Sequence, residues 1–290
     1  MTRAAPAPRT AVGVVGAVLL GGLAWEGYKA VGNPDGTVLF GVRVLPRADD
    51  AAMPHLGEIL GRFADPERVG GDPIWLVVTN AGLVTLRSVA VGFLAGALVG
   101  LLLAVLMQRL RWVRRGLLPY VVLSQTVPLI ALAPVIAGWG GRLSIGSYPW
   151  QPWMSVATIA AYLAFFPIAV GLLRGLTSPA PIAEELMRSY AAGWWRTLVK
   201  LRLPAATPYL HPALRLAGAA AVVGAVVGEI STGTRGGIGR LVIEYSREAT
   251  TDPAKVYTAL LGAVLLGLLV AGAVALAELL LTPGRRALTR

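Results

Sequence analysis

Apolar runs long enough to cross a bilayer constrain this chain more than any other feature of its sequence. A helix rises ~1.5 Å per residue, so about 20 apolar residues cover the ~30 Å of hydrocarbon. Six such runs occur, at 11–30, 79–107, 117–139, 153–173, 208–230 and 257–281. Within lipid each backbone N–H and C=O must find its partner in the protein, so each run is expected to be a helix. The fold class that follows is all-α, a polytopic membrane protein with six transmembrane helices. Composition agrees, with 56% of the 290 residues hydrophobic and 14% charged, where a soluble domain has ~25% charged. Arg3 and Arg9 ahead of the first run also give it the outline of a secretory signal. Trp25, Glu26 and Tyr28 stand where a small-residue cleavage site would be, so the helix is expected to be retained.

Charge sets the orientation. With the N-terminus inside, the segments 1–10, 108–116, 174–207 and 282–290 carry 14 basic and 2 acidic residues, and Arg109, Arg111, Arg114 and Arg115 are the densest cluster. The opposite segments (Lys29 with 31–78, 140–152 and 231–256) hold 10 of each sign. The positive-inside rule then puts both termini in the cytoplasm. The net charge of +11 is thus topological, and nucleic acid is not an expected partner. Four divisions follow: an N-terminal transmembrane helix at 1–30, an extracytoplasmic loop at 31–78 with "HLGEILGRF" as a short interfacial helix, a five-helix core at 79–281, and a cytoplasmic tail at 282–290.

Several chemistries are absent. There is no cysteine and there are two histidines, His55 and His211, which leaves no ordinary metal cluster and no thiol nucleophile. No G-x-x-x-x-G-K-[ST] occurs, so the chain has no P-loop with which to hydrolyse ATP. No cofactor, no metal and no catalytic residue is expected.

The segment "EELMRSYAAGWWRTLVKLRLP" (184–204) interrupts the membrane pattern on the inside. Pro179 and Pro181 end what precedes it, and Glu184 and Glu185 fall in a first helical turn, where the dipole favours acids. Leu186, Met187, Tyr190, Trp194, Trp195 and Leu198 recur at helical spacing, with Arg188, Arg196 and Lys200 between them. The expectation is one amphipathic helix, ended by Pro204 and Pro208 before the fifth run. Two uses fit such a helix: lying on the inner leaflet, or entering a groove on a soluble partner.

Within the runs, Gly92, Gly96 and Gly100 repeat on one face and Gly224 and Gly228 on another, as in close helix packing. Pro128 lies near mid-membrane in the third run and should bend it. Ser124, Gln125 and Thr126 place polar groups beside that bend, either lining a pathway or tying helices together. Arg215 either snorkels to the inner headgroups or faces a pore. Glu26 and Glu278 have no assigned role.

The inside segment resembles the cytoplasmic motif of type I ABC importer permeases, E-A-A, three residues, G, nine residues, I-x-L-P. Glu185, Leu186 and Met187 stand at E-A-A, Ala191 at the glycine, and Leu201-x-Leu203-Pro204 at I-x-L-P, with Gly193 two residues past Ala191 as a substitute source of flexibility. "QTVPLIALAPVIAGWG" (125–140), "FFPIAVGLLRGL" (165–176), "LPAATPYLHPALRLAGAAAVVGAVVGEI" (203–230) and "GGIG" (236–239) are similar to the nitrate/sulfonate/taurine group, so the resemblance spans about 75–281.

What the resemblance implies is a non-catalytic permease subunit. It would pair with a second permease copy, identical or a sibling, bind two ABC ATPase subunits inside and meet a solute-binding protein outside. The ATPase-coupling residues would be Glu185, Leu186, Met187, Arg188, Tyr190, Ala191, Gly193, Trp194, Leu203 and Pro204. Gln125, Thr126, Pro128 and Glu229 would belong to the translocation pathway. At Glu229 the readings are a gate or packing role, or simple exposure to outside water. Substrates would be small anions (sulfonates, taurine, nitrate) or thiamine-precursor or riboflavin-like heterocycles. The rivals are a secondary transporter, lacking a visible inverted repeat or midplane acid, and an intramembrane enzyme, lacking an acid/base pair at matched depth.

Overall fold

A computed structural model describes residues 7–39 and 42–281. In chain order its elements are α1 (Ala7–Val31), the strands β1 (Thr37–Leu39) and β2 (Val42–Leu45), α2 (Leu56–Arg62), α3 (Ile74–Arg109), α4 (Arg111–Leu123), α5 (Leu129–Gly140), the strands β3 (Ser144–Ile145) and β4 (Tyr148–Pro149), α6 (Pro152–Leu176), α7 (Pro181–Ser189), α8 (Trp194–Thr197), α9 (Leu203–Thr232), α10 (Ile238–Arg247) and α11 (Pro253–Leu281). β1 pairs antiparallel with β2 and β3 with β4, two small hairpins in an otherwise helical chain.

Four helices are long and apolar enough to cross a membrane: Ile74–Arg109, Pro152–Leu176, Trp194–Thr232 and Pro253–Leu280. The pair Arg111–Thr126 and Leu129–Gly140, bent by 101°, passes the same test together, as a broken span or a re-entrant loop. The first expected run folds as α1, a 25-residue helix outside that set. The expected tail at 282–290 lies outside the described residues.

Two compact units divide the chain. One draws on residues up to Val78 and on Val242–Leu261, the other on Thr79–Leu241 and the chain from Gly262 onward. In the first, the loop after α1 is pinned by charge. Glu26 accepts from His55 Nδ1 at 2.8 Å and from the Leu56 N–H at 2.7 Å, closing the amino end of α2. Lys29 donates to Asp50 at 2.6 Å, and this bond holds the Asp50 carboxyl below its usual range. Arg62 meets Asp252 at 2.8 Å, while the buried Lys255 ammonium donates to Glu248 at 2.5 Å and to the Glu67 carbonyl at 3.1 Å. Tyr245 is buried beneath that ammonium, 4.7 Å from ring centre, and burial, then the Glu67 carboxylate, push its phenol up.

The second unit is organised around α6, whose buried positions include Val156, Ile159, Ala160, Ala164, Ile168 and Leu172. Small residues let its neighbours approach. A Cβ on Gly92 or Gly96 would lie 2.6–2.9 Å from the methyls of Ala160 and Ala164, and one on Gly100 2.6 Å from the Phe165 carbonyl. On the other side a Cβ on Gly171 would meet the Ala213 methyl at 2.6 Å, and one on Gly224 the Ala160 backbone at 3.0 Å. In lipid no water is released between helices, so close packing of this kind is what holds α3, α6 and α9 together.

Three expectations need correction. The inside segment is two helices, not one, broken at Tyr190–Gly193. Pro204 and Pro208 do not end a helix: Trp194–Thr232 runs as one. Pro204 is the second residue of α9 and follows a helical turn of another pitch. Ahead of it Leu198–Arg202 form a π-turn, in which the Leu203 N–H reaches back five residues to Leu198, and this wider turn relieves the clash of the ring with the preceding turn. The third run is broken at Pro128 rather than bent.

Candidate functional site

The segment 184–204 is built around a Schellman turn. α7 ends at Ser189, the Ala191 N–H donates to the Arg188 carbonyl at 2.8 Å, and the Ala192 N–H returns to Met187 at 2.9 Å. This closure needs a left-handed residue, and Ala191 supplies it at φ 49°, the one non-glycine with positive φ among the described residues. The position aligned with the motif's glycine is therefore the one whose geometry favours glycine. Gly193 has an ordinary extended backbone and caps α8, so the strain stays at Ala191.

Beyond the turn the two tryptophans separate. Trp195 is 66% exposed. Trp194 instead packs against the buried cluster of Met107, Leu172, Leu173, Leu176, Leu198 and Ala206, with the Arg109 guanidinium 4.6 Å from its ring centre. Leu198 is buried as well, so Trp194 and Leu198 do not belong to the exposed apolar face expected of the segment. That face is Ile182, Leu186 and Tyr190, one i, i+4, i+8 stripe exposed by 72%, 56% and 73%. Glu185 and Arg188 flank it, exposed, while Met187 is half-buried; Ala191, Gly193, Leu203 and Pro204 are exposed. Glu184 is bound to Arg202 at 2.9 Å, which ties α7 to the π-turn leading into α9.

At the break in the third crossing, Ser124, Gln125 and Thr126 form a 3₁₀ turn, Val127 is extended and Pro128 caps α5. Pro128 has no N–H to offer the Ser124 carbonyl four residues back; that carbonyl accepts from the Val127 N–H at 3.4 Å and from the Tyr162 hydroxyl of α6. Gln125 is half-buried and its amide reaches Ser124 Oγ at 3.3 Å, whereas Thr126 and Pro128 are exposed.

Glu229 is 1% exposed, which overturns the reading of a carboxylate facing outside water. Its Oε2 accepts from the Gly239 N–H at 2.8 Å and lies 3.1 Å from Thr85 Oγ1, and that hydroxyl accepts from the Ile238 N–H at 2.9 Å. α3, α9 and the amino end of α10 thus meet at one carboxylate, where the positive end of a helix dipole favours it. Gly237 and Gly239 make the approach feasible: a Cβ on the first would overlap the Glu229 carboxyl, and on the second the Val226 carbonyl.

Sequence reasoning missed one pairing outright. Arg215 holds Glu278 across α9 and α11, with Nε at 3.0 Å and NH2 at 2.6 Å from the same oxygen, so Arg215 has a carboxylate partner rather than only headgroups. The available signal was depth: in the expected topology both charges lie within about two turns of the inner ends of their helices. The pathway candidates Gln125, Thr126 and Pro128 stand together at the break, and Glu229 belongs to the separate Thr85–Gly239 cluster.

Comparison with known proteins bears on all of these features. The pattern of the family described as "Binding-protein-dependent transport system inner membrane component" matches residues 96–282. The formylaminopyrimidine transport permease protein ThiX of Halalkalibacterium halodurans is 34% identical over 204 residues, 70% of this chain and 76% of that protein. A probable ABC transporter permease protein of Haemophilus influenzae is 32% identical over 169 residues, 58% of this chain and 65% of that one, so the chain spans just under two thirds of its length. The putative aliphatic sulfonates transport permease protein SsuC of Bacillus subtilis is 27% identical over 169 residues, 58% of each chain. The chain belongs to the family of binding-protein-dependent transport system inner membrane components, the permeases of ABC transporters.

Proposed function

We propose that this chain is one half of the membrane pathway of an ABC importer and that α7 is where separate ATPase subunits take hold of it. The observation that carries this is the stripe of Ile182, Leu186 and Tyr190, apolar and exposed between Glu185 and Arg188. A membrane-surface helix would leave its mounting loose. Here the Schellman turn, the Glu184–Arg202 pair and the half-buried Trp194 fix α7 to the start of α9, so that a push on the stripe turns the helix. Trp194 acts in this as a positioning residue rather than a contact.

In this reading α1 is a sixth crossing, both termini are cytoplasmic, and α4–α5 with α9 face the pathway. Gln125, Thr126 and Pro128 line it at the break, and Glu229 holds the outer closure. A second permease copy completes the channel, two ATPase subunits hydrolyse ATP, and a solute-binding protein delivers the cargo. The cargo is a small polar solute of the kinds named for its relatives, a formylaminopyrimidine or an aliphatic sulfonate.

The chain has no native cysteine, so a single Tyr190→Cys is a unique handle. Coexpressed with its ATPase, this variant should crosslink to that subunit through a short bifunctional thiol–amine reagent. Labelling of the introduced thiol by an impermeant reagent in intact cells, with no ATPase crosslink, would contradict the reading.

A further inference from the structure

Helix α4 carries positive charge that nothing among the described residues answers. Arg111, Arg114 and Arg115 lie in its first five residues, all exposed, and no carboxylate or hydrogen-bond acceptor meets them among the described residues. Its first turn contains no acid, so the three cations repel one another and stand at the end of the helix dipole that disfavours them. Arg109, just before, is already stacked on Trp194.

These arginines head a groove. Arg114, Leu118 and Val122 form one i, i+4 ridge, Arg115, Pro119 and Leu123 the next, and the shallow, open groove between them lies on the surface of α4 alone. Below the guanidinium groups the walls are apolar, with Val122 and Leu123 half exposed, and Trp112 and Tyr120 are exposed on the same helix, as aromatic residues are at a membrane interface. In the topology proposed above α4 is the first limb of a broken crossing, which puts its arginines at headgroup level and the apolar face below them in hydrocarbon. A soluble anion would satisfy the arginines and gain nothing from the walls; a neutral lipid would do the reverse.

We propose that the α4 groove is a binding site for an anionic glycerophospholipid. Its phosphate lies between Arg114 and Arg115 with Arg111 above, and one acyl chain follows Leu118, Val122 and Leu123. Basic residues at the membrane surface attract anionic headgroups by about fivefold each, which makes the pair of groove arginines worth about thirtyfold.

The test is native mass spectrometry of the full chain after exchange from nanodiscs holding equal amounts of phosphatidylglycerol and phosphatidylcholine. The wild type should retain phosphatidylglycerol selectively, R114Q/R115Q should lose about thirtyfold of that retention, and R114K/R115K should keep most of it. Excess inorganic phosphate should not displace the lipid. Retention unchanged in R114Q/R115Q would overturn the proposal, as would displacement by phosphate alone, which assigns the arginines to a soluble anion. Disulfide formation between Val122→Cys residues of two copies in the membrane would also overturn it, because a second copy would then fill the groove. Binding is read without transport or ATPase activity, so its failure is separate from failure of the permease reading.

Discussion

The two ends of α9 are finished in opposite ways. At the carboxyl end Glu229, Thr85 and the N–H groups of Ile238 and Gly239 answer one another inside the protein, with glycines making the room. Before the amino end, α7 leaves apolar side chains and unpaired charges outside, while the turn that carries them is held by buried contacts. A polar group that is buried must be paired within the chain, whereas an exposed stripe on a rigid mount is paid for only when a partner covers it. The same helix is thus closed at one end and open at the other.

Substitutions can break this contrast, beginning where the effect should be greatest. Gly239→Ala forces a Cβ against the Val226 carbonyl and should cost about 3 kcal/mol, read as a lower unfolding temperature of the purified protein in detergent. Trp194→Ala, at the mounted side of the open end, should cost about 2 kcal/mol, less than a fully buried tryptophan because the ring is only half-buried. Thr85→Val removes the acceptor of the Ile238 N–H and should cost ~1–2 kcal/mol. Ala191→Gly should instead stabilise by ~1 kcal/mol, since its left-handed backbone is free for glycine and strained for alanine. A loss of stability in Ala191→Gly would mean that the turn at the open end is not the one described.

Much of the architecture was legible because length and apolarity alone make a crossing: the runs at 79–107, 153–173 and 257–281 became α3, α6 and α11 with ends displaced by a few residues. The run at 208–230 was placed but cut short, because Pro204 and Pro208 read locally as breakers. Their spacing of four repeats one face of a helix, and the π-turn before them cannot be seen in composition. Pro128 read as a bend; the helix in fact breaks there, and the Ser124 carbonyl is bonded to the Val127 N–H and to Tyr162 of another helix.

At the candidate site the motif spacing located the turn at Ala191, but periodicity could not distinguish Trp194 from Trp195. Adjacent residues lie about 100° apart on a helix, and which of them faces inward is decided by Arg109 and the α3–α6 cluster, far away in sequence. The Glu229 and Arg215–Glu278 pairings were hidden for the same reason. α10 and the two hairpins are too short and too polar to register beside membrane runs.

The most direct test is co-purification of the ATPase with Leu186→Asp/Tyr190→Asp, two changes confined to exposed positions of α7 and its carboxyl cap. The unfolding temperature and membrane yield should match the wild type while ATPase recovery falls to background. Full ATPase recovery with this variant would contradict the claim that the exposed stripe on α7 is the grip of the motor.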